Sequence, residues 1–316
     1  MLGDGIANLF WMLSIVIPFS LMATNEGHAQ EQNLTIASIQ YPVEGNKSLA
    51  EILAKVEAFT EEAVAKKVDV LVLPELLTLD AWPVQEGIEE TIESERKVVQ
   101  EIASKITPGY FEGIRQLAKK HHIAIMAGSS PELDAESKKL FNVAMLVQAD
   151  GEGLTQKKGH PTKWERDIGI ASGKGITIAD TPWGKTAILV CYDVEFPDLS
   201  AGLIENSPTL ILVPSMTESE AGLKRVRWTS QARAIEHHAI VVVSGTVGHP
   251  MPTWQLFGQS AILGPASETF EMDDVEGVAN TPGMIIQTID LNALSQSRVQ
   301  THFHPAKDKR EKIGGD

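Results

Sequence analysis

The chain's single cysteine, Cys191, closes the apolar run Ala187-Ile188-Leu189-Val190-Cys191 and leads into Tyr192-Asp193-Val194-Glu195-Phe196-Pro197. A short apolar run ended by polar and proline signals reads as a buried strand that stops abruptly. A thiol at such a stop is held rigidly yet can face a pocket; the competing reading is a small core residue, the common fate of a free cysteine. Two other expected strand ends carry charged groups of complementary chemistry. The β-rich run 68–73 finishes in Pro74-Glu75, which puts a carboxylate at its edge. The segment 154–158 follows the turn signal Asp150-Gly151 and breaks at Lys158-Gly159-His160-Pro161, and a second acid, Glu165, comes seven residues after Lys158. Taken singly, Glu75 reads equally as a loop acid and Lys158 as a solvated charge. Together with the thiol they suit acyl transfer. The carboxylate can take the proton of a thiol whose ordinary pKa of about 8.5 keeps it mostly protonated at neutral pH. A fixed ammonium can stabilise both the thiolate and the oxyanion that forms on a carbonyl.

The elements that must position these groups alternate between strand and helix. Residues 34–39 read as a first strand. Residues 48–66 carry Leu49, Ile52, Leu53, Val56, Phe59 and Ala63 at helical spacing. After the strand at 68–73 come an acidic helical stretch around 92–105 and a helix over 111–120. Strands at 123–127 and 143–148 flank a polar loop at 131–139. Beyond the cysteine, 209–213 is another buried strand, ending in Pro214-Ser215, which echoes Leu73-Pro74-Glu75 and hints at two similar halves. A helix at 225–237 and a strand at 239–244 follow. Strands buried on both faces, set between helices, indicate layered α/β packing. Two such halves with their sheets face to face give a four-layer α-β-β-α sandwich, expected to form a single domain over residues 30–316.

Composition fits this picture. The chain has 316 residues, 43% of them hydrophobic, enough for one large core. A net charge of −15 argues against a nucleic-acid partner, whose phosphates call for clustered Lys and Arg. The first 29 residues stand apart. Residues 6–23 are almost wholly apolar and Gly27-His28-Ala29 precedes Gln30, which reads as a secretory signal cut after Ala29 and a periplasmic or secreted enzyme. The basic n-region of such a signal is missing, so an uncleaved membrane anchor through 6–23, or a start placed too far upstream on a cytoplasmic protein, stands as the alternative.

Competing chemistries lack their residues. Gly258-Gln259-Ser260 has no second glycine for a serine elbow; Ala179 stands where a phosphate loop ending in Gly184-Lys185-Thr186 needs glycine; Gly151-x-Gly153 lacks the third glycine of a dinucleotide fingerprint. The pairs His121-His122 and His237-His238 point to opposite sides of their elements, and His302 with His304 fits packing of the chain's tail better than metal ligation. No cofactor or metal is expected. His160 reads as near the site or as a structural partner of the Lys158 segment. Trp164, Tyr192 and Trp228 could line a pocket, with core filling as the default.

The order Glu75, Lys158 with Glu165, then Cys191-Tyr192-Asp193 resembles the nitrilase, or carbon–nitrogen hydrolase, superfamily. Further matching segments are Val213-Pro214-Ser215, Gln231-Ala232-Arg233-Ala234-Ile235-Glu236, Gly258-Gln259-Ser260-Ala261-Ile262 and Gly264-Pro265. The resemblance runs from about residue 34 to about residue 290. It is strongest to a bacterial branch, also found fused to acetyltransferase domains, with a Cys-Tyr-Asp-x-Glu-Phe-Pro segment. It implies Glu75 as general base, Lys158 as oxyanion-stabilising cation, Cys191 as nucleophile and Glu165 as supporting acid. The Tyr192 backbone N–H would complete the oxyanion site. It also implies the four-layer fold and a homodimer or larger homo-oligomer. Gly159, where the family often has a bulky residue, and His237, where it often has Asn, depart from the pattern. The expected activity is hydrolysis of a small amide through a Cys191 thioester with release of ammonia or an amine. The alternatives are a nitrilase working through a thioimidate, a binding or assembly protein on the same scaffold, and acyl transfer to a lipid amine.

Overall fold

A computed structural model describes residues 32–84, 91–251 and 253–308. The expected leader and its cleavage site, and part of the acidic stretch after Val84, lie outside these residues. No helix among the described residues is long and apolar enough to cross a membrane.

Twelve strands among the described residues form two sheets. In the first, β1 (Asn33–Val43), β2 (Val70–Val72) and β3 (Ala124–Leu133) run parallel, and β4 (Leu140–Val147), β5 (Gly153–Lys157) and, on the far side of β1, β12 (Gly283–Asp290) pair antiparallel. In the second, β7 (Gly184–Ile188), β8 (Leu210–Ser215) and β9 (Ile240–Gly248) run parallel. β6 (Ile178–Thr181) borders β7, while β10 (Ala261–Leu263) and β11 (Val275–Glu276) extend beyond β9. The resemblance between the two -Pro- strand ends is thus structural. β2 and β8 are each the middle strand of a parallel trio.

Strand alternation explains how the sheets stack. Leu34, Ile36, Val70, Val72, Ala124, Met126, Ala144 and Leu146 face the second sheet, packing with Leu210, Leu212, Ile240 and Val242, which share one face of it by register. Their neighbours Ala37, Ile39, Leu71, Leu73, Ile125, Ala127, Val143 and Met145 face outward onto Ile52 and Val56 of α1 (Leu49–Ala65) and Tyr110, Ile114 and Leu117 of α3 (Thr107–His121). A period of two with both faces apolar is what a sheet covered on both sides requires. α2 (Ile92–Lys105) lies beside α3, and α6 (Glu220–His237) covers the second sheet through Val226 and Ala234. The fold is therefore a four-layer α-β-β-α sandwich. The two sheets meet where Tyr41, Pro42 and Val43 leave β12 and pair with Thr246, Val247 and Gly248 of β9. Two buried hydroxyls tie them as well: Ser38 donates to the Val243 carbonyl (2.8 Å) and Ser244 to the Ile39 carbonyl (2.7 Å).

Several boundaries differ from the sequence reading. β3 continues to Leu133 and β4 begins at Leu140, so only 134–139 remain as the connecting loop. A bulge between Met126 and Ser129 resets the register, and the polar residues beyond it are buried because they are bonded: the Ser130 hydroxyl meets those of Thr78 and Thr107, each at 2.6 Å. An apolar run was a poor guide where buried polar residues continue the strand. α3 starts at Thr107 with Pro108 in its first turn, and α6 starts after Ser219, whose hydroxyl caps it by accepting from the Gly222 N–H. β12, half-exposed, had no clear period to read.

One glycine of the bulge is set against the chemistry. Gly128 has φ +67°, and a Cβ there would lie 1.8 Å from the Pro74 carbonyl oxygen. Gly128→Ala should therefore destabilise the protein by about 2–4 kcal/mol, the sum of a left-handed non-glycine residue and an overpacked contact. It should also displace Pro74-Glu75, so that urea unfolding and turnover fall together.

Candidate active site

Cys191 does not sit on a strand's last residue. β7 ends at Ile188, the Leu189 N–H still donates to the Leu212 carbonyl at 3.0 Å, and Cys191 opens a single 3-10 turn over Cys191–Glu195. Its φ is +48°, a left-handed conformation that a non-glycine residue adopts only when its surroundings impose it. Leu76, just after Glu75, is in the same region at φ +50°, and its N–H is accepted by the Ser129 hydroxyl at 3.0 Å. The chain is thus bent sharply at both the thiol and the carboxylate. The Tyr192 N–H, in the first turn of that 3-10 segment, has no protein acceptor among the described residues.

Glu75, Lys158, Glu165 and Cys191 are brought to one cavity and are all buried. The Lys158 ammonium, directly after β5, donates to Glu75 Oε1 (2.8 Å) and Glu165 Oε2 (2.6 Å). Asn142 of β4 also spans both acids, its Nδ2 donating to Glu75 Oε1 (2.9 Å) and Glu165 Oε1 (2.8 Å). The other oxygen of Glu75 accepts the Met216 N–H at 2.9 Å. Glu165 belongs to α4 (Lys163–Asp167), where it completes a capping box with Thr162, accepting the Thr162 N–H at 2.7 Å. The thiol reaches the Met216 carbonyl (3.5 Å) and the Glu75 carboxyl, and accepts from the Ser215 hydroxyl at 3.4 Å.

The two acids differ in proton affinity. Burial, aided by the negative charge of Glu165, lifts the Glu75 carboxyl above its ordinary value despite Lys158. Burial would lift Glu165 too, but the Lys158 ammonium and hydrogen bonds from Thr162 and Asn142 outweigh it and hold Glu165 low. Lys158 is desolvated, yet Glu165 and Glu75 keep it firmly charged. Burial and the nearby Glu75 charge push the Cys191 thiol well up, so it rests protonated. The arrangement is a base of raised proton affinity against a neutral thiol, with a permanent cation and a permanent anion beside them.

Residues beyond those expected hold the parts together. Asp193, two residues after the thiol, is buried and accepts the N–H groups of Gly159 (3.1 Å) and His160 (2.7 Å), locking the Lys158 segment to the Cys191 turn. His160 stacks on Phe196 at 3.7 Å and its Nδ1 meets Asp193, which makes it the structural partner of that segment. Arg233 Nε donates to the Val194 carbonyl (3.1 Å), its Nη1 to Glu236 (2.8 Å), and the Ser200 hydroxyl bridges Glu236 and His237. Neither departure from the family pattern, Gly159 or His237, lines the cavity. The aromatic default holds only in part. Trp164 packs against the core cluster beside Trp254 and lines the cavity as well, Tyr192 lines the cavity, and Trp228 is 66% exposed on α6, away from both. His304 is buried with its ring stacked on His238, whereas His302 is exposed and on no strand.

Asn142, Asp193 and the Met216 backbone escaped the sequence reading. A lone amide inside the apolar run 140–147, and an acid beside a candidate nucleophile, were the available signals. Nothing in a sequence marks a backbone N–H. The cavity has about 230 Å³ of space; besides the four central groups its wall includes Tyr192, Glu195, Glu218 and Arg225.

A sequence model of the carbon-nitrogen hydrolase family matches residues 35–299. Probable hydrolase YhcX of Bacillus subtilis is 34% identical over 284 residues, which cover 88% of this chain and 54% of that protein, so the chain spans about half the length of this relative. The omega-amidase of Danio rerio is 23% identical over 81% of this chain and 88% of its own. Among solved structures, the NitFhit protein of C. elegans superposes with a TM-score of 0.70 at 23% identity, over 89% of this chain and 66% of that one. An amidase from Nesterenkonia sp. gives a TM-score of 0.67 at 18% identity, over 88% of this chain and 93% of its own.

Proposed function

The chain belongs to the carbon–nitrogen hydrolase family, and from that premise we propose that it hydrolyses a small non-peptide amide through a thioester on Cys191. The observation that carries this reading is the convergence on one buried cavity of a protonated thiol, a carboxyl of raised proton affinity and a fixed ammonium. Glu75 takes the proton from Cys191 Sγ as the sulfur attacks the carbonyl carbon. The oxyanion forms against the Lys158 ammonium and the Tyr192 N–H, which has no protein acceptor among the described residues and is left available. Glu75 returns the proton to the departing nitrogen, the carbon–nitrogen bond breaks, and ammonia or an amine leaves an acyl thioester. Water then attacks that thioester, giving its proton to Glu75; the acid is released and the thiol regains its proton. One water is consumed and no oxidant or reductant is needed.

Glu165 holds Lys158 in place and supplies its permanent counter-charge, so Glu75 alone is left to exchange protons. A nitrile offers no leaving amine in its first step, so a carboxyl of raised proton affinity favours amides. The amidase names carried by several relatives support the same choice.

The test is ammonia release over matched short amides and nitriles, with mass analysis of the Cys191 peptide in stopped reactions. Faster amide turnover with a thioester-mass adduct is the expected outcome. Turnover of nitriles alone, with a thioimidate on that peptide, would replace the amidase reading and leave the nucleophile unchanged.

A further inference from the structure

Every cation on the cavity wall already has a carboxylate partner. Lys158 is held by Glu75 and Glu165, Arg225 by Glu195 at 3.0 Å, and Lys163 by Asp167. The reverse is not true. Glu218, two residues past the Met216 N–H that fixes Glu75, lines the same cavity and makes no hydrogen bond or ion pair among the described residues. It is open to solvent at the rim, yet partial desolvation and the charges of Glu95 and Glu165 raise its carboxyl above the ordinary value. Trp164 and Tyr192 stand on the same wall; Trp164 is fixed by its Nε1–H donating to Glu95 at 2.7 Å.

We propose that Glu218 is the substrate-selecting residue of this cavity, receiving a protonated amine or guanidine at the far end of a short linear amide whose carbonyl lies at Cys191. This rests on the amidase reading above and names the class of amide. A carboxylate facing other acids is unfavourable alone and is relieved by a cation. Aromatic walls favour the same charge. An anionic end group would meet Glu218 with no free cation on the cavity wall among the described residues to pair with, which selects against it. The cavity's small volume favours a short chain between the two ends.

The experiment compares 4-aminobutanamide, pentanamide and succinamate, amides of near-equal length with a positive, neutral and negative end. The wild-type enzyme should rank them in that order by kcat/KM. Glu218→Gln should reduce the ratio of the cationic to the neutral amide by about tenfold or more, since a charge pair near a protein surface is worth that much. Glu218→Lys should shift preference towards succinamate. Added salt should raise KM for the cationic amide and leave that of the neutral one. A wild-type preference for succinamate, or a cationic-to-neutral ratio that Glu218→Gln does not change, would overturn the assignment while the amidase reading stands. Failure of all three amides alike would remove the amidase reading and this inference with it.

Discussion

Cys191→Ala and Glu75→Gln should each lower amide turnover by at least about 10²-fold while the protein remains folded, because each removes a group that acts on the reacting atoms. Circular dichroism and ammonia release together check this; a Cys191→Ala protein hydrolysing at the wild-type rate would reject the nucleophile assignment. The two variants should differ in stability. Alanine removes one sulfur from a buried site and breaks long contacts to Ser215 and Met216 along with the contact to Glu75. Glutamine is harder to place. Glu75 accepts from Asn142 and Lys158 on one oxygen and from Met216 on the other, and an amide turns one of those acceptors into a donor facing a donor. A loss of about 1–3 kcal/mol follows from the unsatisfied buried group, so Glu75→Gln should melt below Cys191→Ala. In the wild type, Glu75 must be ionised to take the thiol proton and its proton affinity is raised by burial. The acid limb of kcat/KM should accordingly fall away at a pH above the ordinary carboxylate range, as pH drops through the raised value.

Lys158→Ala should be the most damaging single substitution to the fold. It leaves Glu75 and Glu165 buried side by side without their counter-ion, and breaking one partner out of a buried charge cluster costs about 3–5 kcal/mol. The deficit should depend on pH in a defined direction. Without Lys158 both carboxyls rise above their unfolded values, so the folded state binds more protons than the unfolded one. Stability then increases as pH falls towards the unfolded carboxylate range and is lost as pH rises. Urea midpoints at pH 5 and pH 8 should therefore lie closer to wild type at the lower pH. A deficit that is constant with pH would mean that Lys158 contributes packing alone.

The sequence made the sandwich legible because its central strands are buried on both faces and its helices carry clear stripes. Edge elements with weaker patterns, such as β6 and β12, were not readable. The four central groups could be read because their types are chemically unusual at strand ends. Their tightest constraints could not. Asn142 lies one residue before the expected start of its strand. The left-handed Cys191 is not a glycine, so no residue type announced the bend. Asp193 looked like one more acid beside the nucleophile, and only the folded chain shows it gripping two backbone N–H groups on a segment more than thirty residues earlier. Core filling failed as a default for Tyr192 and Trp228, since aromatic spacing cannot distinguish a core from a cavity wall or an exposed helix face.

Glu75, Asn142, Lys158 and Glu165 follow strands of the first sheet or belong to them, whereas Cys191 and Met216 follow strands of the second. The nucleophile and its base are thus carried by different sheets, joined at the short β1–β9 pairing. With one sulfhydryl in the whole chain, the rate at which a thiol reagent too bulky for the cavity of about 230 Å³ labels the native protein becomes a clock for parting of the sheets. Uptake of such a bulky maleimide in mild urea should rise in step with loss of turnover and ahead of any loss of helical signal, with each sheet still covered by its own helices.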